Sequence, residues 1–139
     1  MRRGGAETKG EGFTSVRRRS DMELTETQKS IQNAETKEEM KDEIESAIDD
    51  NDILIFMKGN KMKPQCGYSA RAVKAVSLYE ENFETVDVLR DERIREALEE
   101  VSDWPTIPQV FVDGEFLGGS DIVVEMHEDG ELEEKIEAV

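Results

Sequence analysis

Hydrophobic positions recur along the chain in two patterns, one with helical spacing and one of short unbroken runs. The run from Ile53 to Met57 contains no polar residue, which is typical of a central strand buried on both faces. Apolar side chains at i, i+3, i+4 and i+7 predict amphipathic helices around it. The predicted helices cover residues 37–49, 66–81, 92–101, a segment that begins at Ser120, and 131–138. The predicted strands cover residues 53–57, 83–88, 109–112 and 115–117.

The order of these elements predicts how the strands pair. A helix separates the strands at 53–57 and 83–88, so these two strands should be parallel. Asp113-Gly114 lies between the last two strands, and this dipeptide favours a tight hairpin turn. Residues 58–65 are expected to form a loop. The element order is therefore α-β-α-β-α-β-β-α-α, an α/β chain without internal repeats.

Composition and charge restrict the classes of function. The chain has 139 residues, with 34 acidic and 18 basic side chains and a formal net charge of −16. Such an anion repels nucleic acid and anionic lipid, so we expect neither as a partner. No apolar run approaches the roughly 18 residues that a membrane span requires, and we expect a cytoplasmic protein. A single cysteine and a single histidine exclude an intrachain disulfide and a Cys/His zinc site.

The charge is unevenly distributed, which predicts a domain boundary. Residues 1–21 carry six basic and three acidic side chains and have few large apolar residues. We expect residues 1–35 to be a disordered basic and polar arm with a linker, and residues 36–139 to be the folded domain. A nucleic-acid-binding patch at residues 17–19 is the alternative for the arginines of the arm. The acidic remainder resembles halophilic cytosolic proteins, in which concentrated salt screens the repulsion between carboxylates.

Cys66 is the first candidate for chemistry. It follows the loop after a buried strand and opens a helix, where free N–H groups and the helix dipole favour a thiolate. Lys58, at the start of the same loop, adds a positive charge that also favours the anion. The alternative is an inert cysteine of the core, but the strand–loop–helix junction favours a reactive thiol.

Two further segments are candidates for ligand binding. Trp104 to Pro108 leads into a strand, and a cis bond before Pro108 would expose the backbone of Ile107 to an extended ligand. Gly118 to Asp121 opens a helix, where glycines let the backbone approach a ligand and the helix N-terminus can hold a carboxylate. Taken singly, each segment is also consistent with an ordinary turn or cap. Trp104 is expected to pack on the sheet, and His127 to face solvent.

These three segments and the Met57-Lys58-Gly59 segment before them, taken in order, resemble the monothiol glutaredoxins, a family with the thioredoxin fold, and the similarity extends over residues 36–139. The matching segments are Met57-Lys58-Gly59, Pro64-Gln65-Cys66-Gly67-Tyr68-Ser69, Trp104 to Gln109, and Gly118 to Ile122. The resemblance implies a four-stranded mixed sheet flanked by helices, with Pro108 in the cis form. It also implies that the protein binds glutathione and, as a homodimer, a [2Fe–2S] cluster that is passed to client apoproteins.

The resemblance implies a role for each matching residue. Cys66 would be the thiol that faces glutathione and the one cluster ligand of each chain. Lys58 and Arg95 would pair with the glutathione carboxylates. Asp121 would receive the ammonium of the γ-glutamyl end. The other contacts would come from Tyr68, Thr106, Ile107, Pro108, Gly119 and Ser120.

Two positions differ from the commonest pattern of the family. Tyr68 stands where most members have Phe, which keeps an aromatic ring. Ser120 stands where many members have Cys, so the chain has no second thiol that could resolve a disulfide. If the acidic surface reflects a salt-rich cytosol, the small thiol would be γ-glutamylcysteine rather than glutathione, without the glycine carboxylate.

Three functions are compatible with these residues. The first is a dimeric carrier of a [2Fe–2S] cluster, which the long loop Gly59–Gln65 favours. The second is a thiol–disulfide oxidoreductase, in which Cys66 attacks a glutathione mixed disulfide and a second small thiol resolves the product. The third is a sensor of iron or redox state through cluster occupancy.

Overall fold

A computed structural model describes residues 24–139, so the arm expected at residues 1–21 lies outside the described residues. The helices are α1 (Glu26–Gln32), α2 (Lys37–Asp50), α3 (Gly67–Ser77), α4 (Glu92–Ser102), α5 (Ser120–Asp129) and α6 (Glu131–Glu137). The strands are β1 (Ile53–Met57), β2 (Gly59–Asn60), β3 (Lys63–Pro64), β4 (Glu84–Asp87), β5 (Gln109–Val112) and β6 (Glu115–Gly118). A short 3₁₀ turn, Val88–Arg90, follows β4. Within residues 24–139, no helix combines the length and apolar character that a membrane crossing needs.

The central sheet contains four strands in the order β4-β1-β5-β6. β1 pairs with β4 in parallel and with β5 antiparallel, so the sheet is mixed. The expected parallel pair and the expected four-stranded mixed sheet are both confirmed. The turn between β5 and β6 lies at Asp113 and Gly114, whose φ angles of 54° and 79° suit a two-residue hairpin. The chain therefore forms the sheet that the β-α-β unit and the hairpin signal predict.

Both faces of the sheet are covered, which explains the uninterrupted apolar run of β1. All five residues of β1 are buried. Leu54 and Phe56 pack into one core cluster with residues of α1, α2 and α4. The alternate residues of β1 pack into a second cluster with α3, α5 and α6. A strand buried on both faces needs apolar side chains at every position.

The structure corrects the linker expected before residue 36. α1 lies within that segment, and its Ile31 is fully buried in the core. The buried side chain of Gln28 binds the backbone of Asp87 twice: Oε1 accepts the Asp87 N–H at 2.7 Å and Nε2 donates to the Asp87 carbonyl at 3.1 Å. Because Asp87 ends the edge strand β4, α1 closes the sheet edge at that point and belongs to the folded domain.

Smaller corrections concern the loop and the helix around Cys66. Residues 59–64 form the two-stranded β2–β3 hairpin rather than an irregular loop. α3 ends at Ser77, short of the expected residue 81, since the chain after it turns toward β4. His127 does not face solvent; it is half-buried, and its Nδ1 is hydrogen-bonded to the Tyr79 hydroxyl.

Candidate functional site

Cys66 lies at the junction that the sequence predicts, immediately before α3. It is the N-cap residue, with an extended backbone (φ −155°, ψ 148°), and its carbonyl accepts the Ala70 N–H at 2.9 Å. The thiol is free and the residue is half-buried. The side chain is therefore near the positive end of the α3 dipole, where N–H groups of the first turn have no helical partner.

Opposing effects determine the pKa of the Cys66 thiol. Burial raises this pKa, but the backbone N–H and the hydroxyl of Ser69, the N–H of Tyr68 and the charge of Lys58 lower it and prevail. None of these donors forms a regular capping hydrogen bond with the Cys66 side chain. The net result is a pKa below the ordinary cysteine value. A larger fraction of the thiol is therefore the nucleophilic and metal-binding thiolate near neutral pH.

Ser69 links the thiol to the segment that precedes it. Its side chain is fully buried, and its Oγ accepts the Lys58 N–H at 3.1 Å. The Lys58 carbonyl in turn accepts the Gln65 N–H at 2.8 Å, which closes the β2–β3 hairpin just before Cys66. These bonds fix the position of Cys66 relative to the end of β1.

A groove of about 430 Å³ opens at the start of α3 and α5. Its rim includes the half-exposed side chains of Trp104 and Ile122 and the exposed ring of Tyr68. A concave, largely apolar surface with a few polar groups is typical of a small-molecule site. The residues that line it are Tyr68, Trp104, Thr106, Ile107, Pro108, Gly119, Ser120, Asp121 and Ile122.

The loop on one wall of the groove contains the cis peptide bond Ile107–Pro108, as the resemblance implies. Gln109, which is 1% exposed, supports this loop from the core. Its Nε2 donates to the carbonyls of Trp104 at 2.8 Å and Thr106 at 3.2 Å. Two carbonyls of the loop are therefore satisfied from inside the protein.

Glycines allow α5 to pack closely against that loop. A Cβ at Gly119 would lie 3.3 Å from the Pro108 carbonyl oxygen, and a Cβ at Gly118 (φ 141°) would lie 2.7 Å from Ile122 Cβ. Without these side chains, the first turn of α5 borders the groove with Ser120 and Asp121. Its N–H groups favour an anion, while the Asp121 carboxylate favours an ammonium group.

Seven of the ten predicted site residues line this groove. Cys66 is two residues before the groove residue Tyr68, and Lys58 is near enough to lower the pKa of the thiol. Arg95 is different, because it is exposed on α4 and does not line the groove. Trp104 contacts Phe116 on the sheet, with ring centroids 5.7 Å apart, and lines the groove as well.

One chain does not provide a complete metal site in its described part. Within residues 24–139, no group of three or more His, Cys, Asp and Glu side chains could hold a metal ion. The chain offers the single thiolate of Cys66. A thiolate-bound metal cluster would therefore need further donors from outside the chain.

Two residues that shape the site are not predicted by sequence reasoning, namely Ser69 and Gln109. Both are buried polar residues, and each holds a loop next to the groove or the thiol. The available signal is a polar side chain at a position that the apolar pattern assigns to the core. That signal does not say which backbone groups the side chain will bind.

Comparison with known proteins gives one family. The Glutaredoxin family model matches residues 53–117. The chain is 48% identical over 99 residues to a monothiol glutaredoxin (ycf64-like) of Synechocystis sp., covering 71% of this chain and 92% of that protein. The solution structure of reduced poplar apo GrxS14 matches with a TM-score of 0.65 at 38% identity, over 78% of this chain and 95% of that one. A buckwheat glutaredoxin–glutathione complex matches with a TM-score of 0.65 at 26% identity, over 76% of this chain and 94% of that one.

Proposed function

The chain belongs to the glutaredoxin family, and on that premise we propose that it is a carrier of iron–sulfur clusters. Its groove binds a small γ-glutamyl thiol, and two copies hold one [2Fe–2S] cluster as cargo for client apoproteins. The observation that carries the proposal is the single free Cys66 at a helix N-terminus, with a lowered pKa, near the groove. This role serves iron–sulfur cluster transfer and redox homeostasis.

The chemistry of the groove fits glutathione or γ-glutamylcysteine. The N–H groups at the start of α5 suit the γ-glutamyl carboxylate, and the Asp121 carboxylate suits its ammonium group. The backbone of Ile107, before the cis proline, suits the extended peptide part of the thiol. Lys58, whose charge acts on Cys66, is a cation for the second carboxylate, which belongs to glycine in glutathione and to cysteine in γ-glutamylcysteine. The buckwheat relative forms a complex with glutathione, which supports this ligand class.

The ligand count of the cargo requires two chains. A [2Fe–2S] centre normally takes four thiolates, and this chain offers one. Two Cys66 sulfurs and two bound small thiols complete the set. The loaded form is therefore a homodimer, and loss of the cluster returns it to monomers.

The alternative is a glutathione-dependent thiol–disulfide oxidoreductase that uses the same cysteine. The Cys66 thiolate attacks the glutathione sulfur of a protein–glutathione disulfide, and the protein leaves as a thiolate. A second small thiol then attacks the Cys66–glutathione disulfide, which releases the small-thiol disulfide and restores the Cys66 thiolate. The long segment Gly59–Gln65 before Cys66, which contains the β2–β3 hairpin, favours the carrier over this oxidoreductase.

Anaerobic reconstitution of the full chain, with and without γ-glutamyl thiols, tests the proposal. Visible absorbance and native mass should give a dimer with one cluster and two small thiols. Cys66→Ser should abolish the cluster while the chain still folds and unfolds cooperatively, and Asp121→Ala should retain the cluster less well. Glu125→Ala is the matched control, since it removes an exposed carboxylate from the same helix outside the groove.

A stable cluster in Cys66→Ser, or in wild-type protein without any small thiol, would contradict the carrier mechanism. Failure to form a cluster, together with Cys66-dependent turnover of a glutathionylated peptide, would select the oxidoreductase instead.

A further inference from the structure

Within residues 24–139, acidic side chains predominate except in the stretch that contains Cys66. Residues 53–79, here called the basic segment, contain five basic and no acidic side chains. The rest of the described residues contain thirty acidic and seven basic side chains. The five cations of the basic segment are Lys58, Lys61, Lys63, Arg71 and Lys74.

Within residues 24–139, most basic side chains outside this segment are paired with a nearby carboxylate. Six of the seven are paired with a carboxylate within 3.8 Å, namely Lys29, Lys37, Lys41, Arg90, Arg93 and Lys135. In the part of the chain that the structure describes, no cation of the basic segment makes an ion pair. Among the described residues, the positive charge without an ion pair is therefore concentrated on the elements that flank Cys66, and Arg95 on α4 is the exception.

Three of these cations form what we call the basic face. Lys61 is not one of them, because its Nζ donates to the carbonyls of Phe83 at 2.8 Å and Glu81 at 3.2 Å. Lys58 is not one either, because it is half-buried and its charge acts on Cys66 itself. The basic face consists of three exposed side chains: Lys63 is on β3, which contacts α3, and Arg71 and Lys74 are about one helical turn apart on α3.

The basic face lies outside the small-molecule groove. None of its three cations is among the groove-lining residues, so a small thiol held there leaves them unused. A larger anionic partner could reach them together with the thiol. The neighbouring Tyr68 and Met62 side chains are 57% and 87% exposed, which adds apolar contact surface. A long nucleic acid does not fit, because it would also meet the acidic remainder of the molecule.

We propose that the basic face docks an acidic protein surface that flanks the reactive cysteine of the client. Charge complementarity brings the client cysteine to Cys66 and disfavours clients with basic surroundings. The inference rests on the proposed function only in requiring that Cys66 reacts with protein clients.

A single thiol–disulfide exchange step tests the proposal without cluster or glutathione. Two peptides of equal length carry one cysteine as a mixed disulfide with thionitrobenzoate, flanked by glutamates in one peptide and by lysines in the other. The Cys66 thiolate attacks the peptide sulfur, a Cys66–peptide disulfide forms, and thionitrobenzoate leaves with the electron pair of the broken bond. Absorbance of the released thionitrobenzoate gives the rate, and intact mass identifies the adduct.

The ionic strength should be about 0.1 M, where the Debye length of about 10 Å leaves mainly local charges effective. We expect the acidic peptide to react about fivefold faster than the basic one. The ratio should approach one at about 1 M salt, where the Debye length is about 3 Å. Equal rates at the lower salt concentration, or a faster basic peptide, would overturn the proposal.

Two triple variants separate the basic face from net charge. Lys63→Gln, Arg71→Gln and Lys74→Gln together should remove most of the preference. The control variant removes the same number of positive charges elsewhere and should keep the preference for the acidic peptide. Its substitutions are Lys29→Gln, Lys37→Gln and Lys135→Gln. An equal loss in the control would overturn the role of the basic face.

Hydroxyethyl disulfide is small and uncharged, so it should react at the same rate with the wild type and both triple variants. Equal rates show that Cys66 is intact in each protein. Thermal unfolding confirms that both triple variants are folded. If cluster reconstitution fails while the peptide preference persists, the carrier is contradicted and the docking surface stands.

Discussion

The reactivity of Cys66 comes from groups that the fold places around it. The backbone N–H groups at the start of α3 would be available to any N-cap residue, whereas the Ser69 hydroxyl depends on this particular sequence. Ser69 Oγ accepts the Lys58 N–H, so the hydroxyl hydrogen remains free to be donated toward the sulfur. One buried serine thus both fixes the loop and stabilises the thiolate.

We expect Ser69→Ala to raise the pKa of Cys66, because it removes one donor to the thiolate and leaves the backbone donors in place. The rate of alkylation by iodoacetamide as a function of pH measures this pKa. The wild-type midpoint should lie below the roughly 8.5 of a free cysteine. Ser77→Ala, at the far end of the same helix, is the control and should leave the midpoint unchanged. A wild-type midpoint at or above 8.5 would remove the premise of an activated thiol.

The lowered pKa also predicts the pH dependence of unfolding. Because the folded state favours the thiolate, Cys66 contributes stability above the pKa of the unfolded thiol, and this contribution is lost as the pH falls through the folded pKa. The difference in unfolding free energy between wild type and Cys66→Ser should therefore grow with pH across that range. Urea unfolding at several pH values measures it, and a constant difference would contradict the thiolate stabilisation.

At the scale of elements, the sequence predicts the helices and strands whose buried apolar residues repeat at a regular spacing. β1 is recognisable because both of its faces are buried, and α2 because its buried Met40, Ile44, Ala47 and Ile48 repeat with the helical period. α1 offers only Ile31 as a buried apolar residue, and its second anchor is the polar Gln28. The partner of Gln28 is Asp87, 59 residues away, so no local pattern reveals that α1 docks.

The groove illustrates the same limit at the candidate site. The segments that carry Pro108, Gly119 and Asp121 are predicted because the family motifs include them, and the structure brings them together. The buried supports Ser69 and Gln109 act through bonds to loop carbonyls and amides that depend on the folded backbone. Such non-local contacts have no signature in composition or periodicity.

Docking of α1 should be measurable as stability. We expect Ile31→Ala to lower the unfolding free energy by about 3 kcal/mol, because it leaves a cavity at a fully buried site. Gln28→Ala should lower it by about 2 kcal/mol, since the Asp87 N–H and carbonyl lose their partner. Glu26→Ala, at an exposed position of the same helix, should change it by less than about 0.5 kcal/mol. Urea unfolding measures all three, and an Ile31→Ala value close to that of Glu26→Ala would mean that α1 is not part of the cooperative unit.

The charge of the whole molecule has consequences that no single pair explains. Residues 24–139 contain thirty acidic and twelve basic side chains. The exposed pairs of Lys37 and Lys41 with Glu100 join α2 to α4, but exposed pairs contribute little, with a median of about 0–1 kcal/mol. We therefore expect repulsion among the many unpaired carboxylates to outweigh the attraction of the pairs at low ionic strength.

We expect the melting temperature to rise as sodium chloride increases from dilute buffer to about 0.5 M, because screening reduces a net repulsion. Screening also weakens the surface ion pairs, so the sign of the salt effect reports which of the two is larger. A variant with four exposed, unpaired glutamates changed to glutamine should melt higher in dilute buffer and depend less on salt. The four positions are Glu45, Glu81, Glu99 and Glu128. If wild-type protein is equally stable or more stable in dilute buffer, its ion pairs outweigh the repulsion, and adaptation of the acidic surface to a salt-rich cytosol is contradicted.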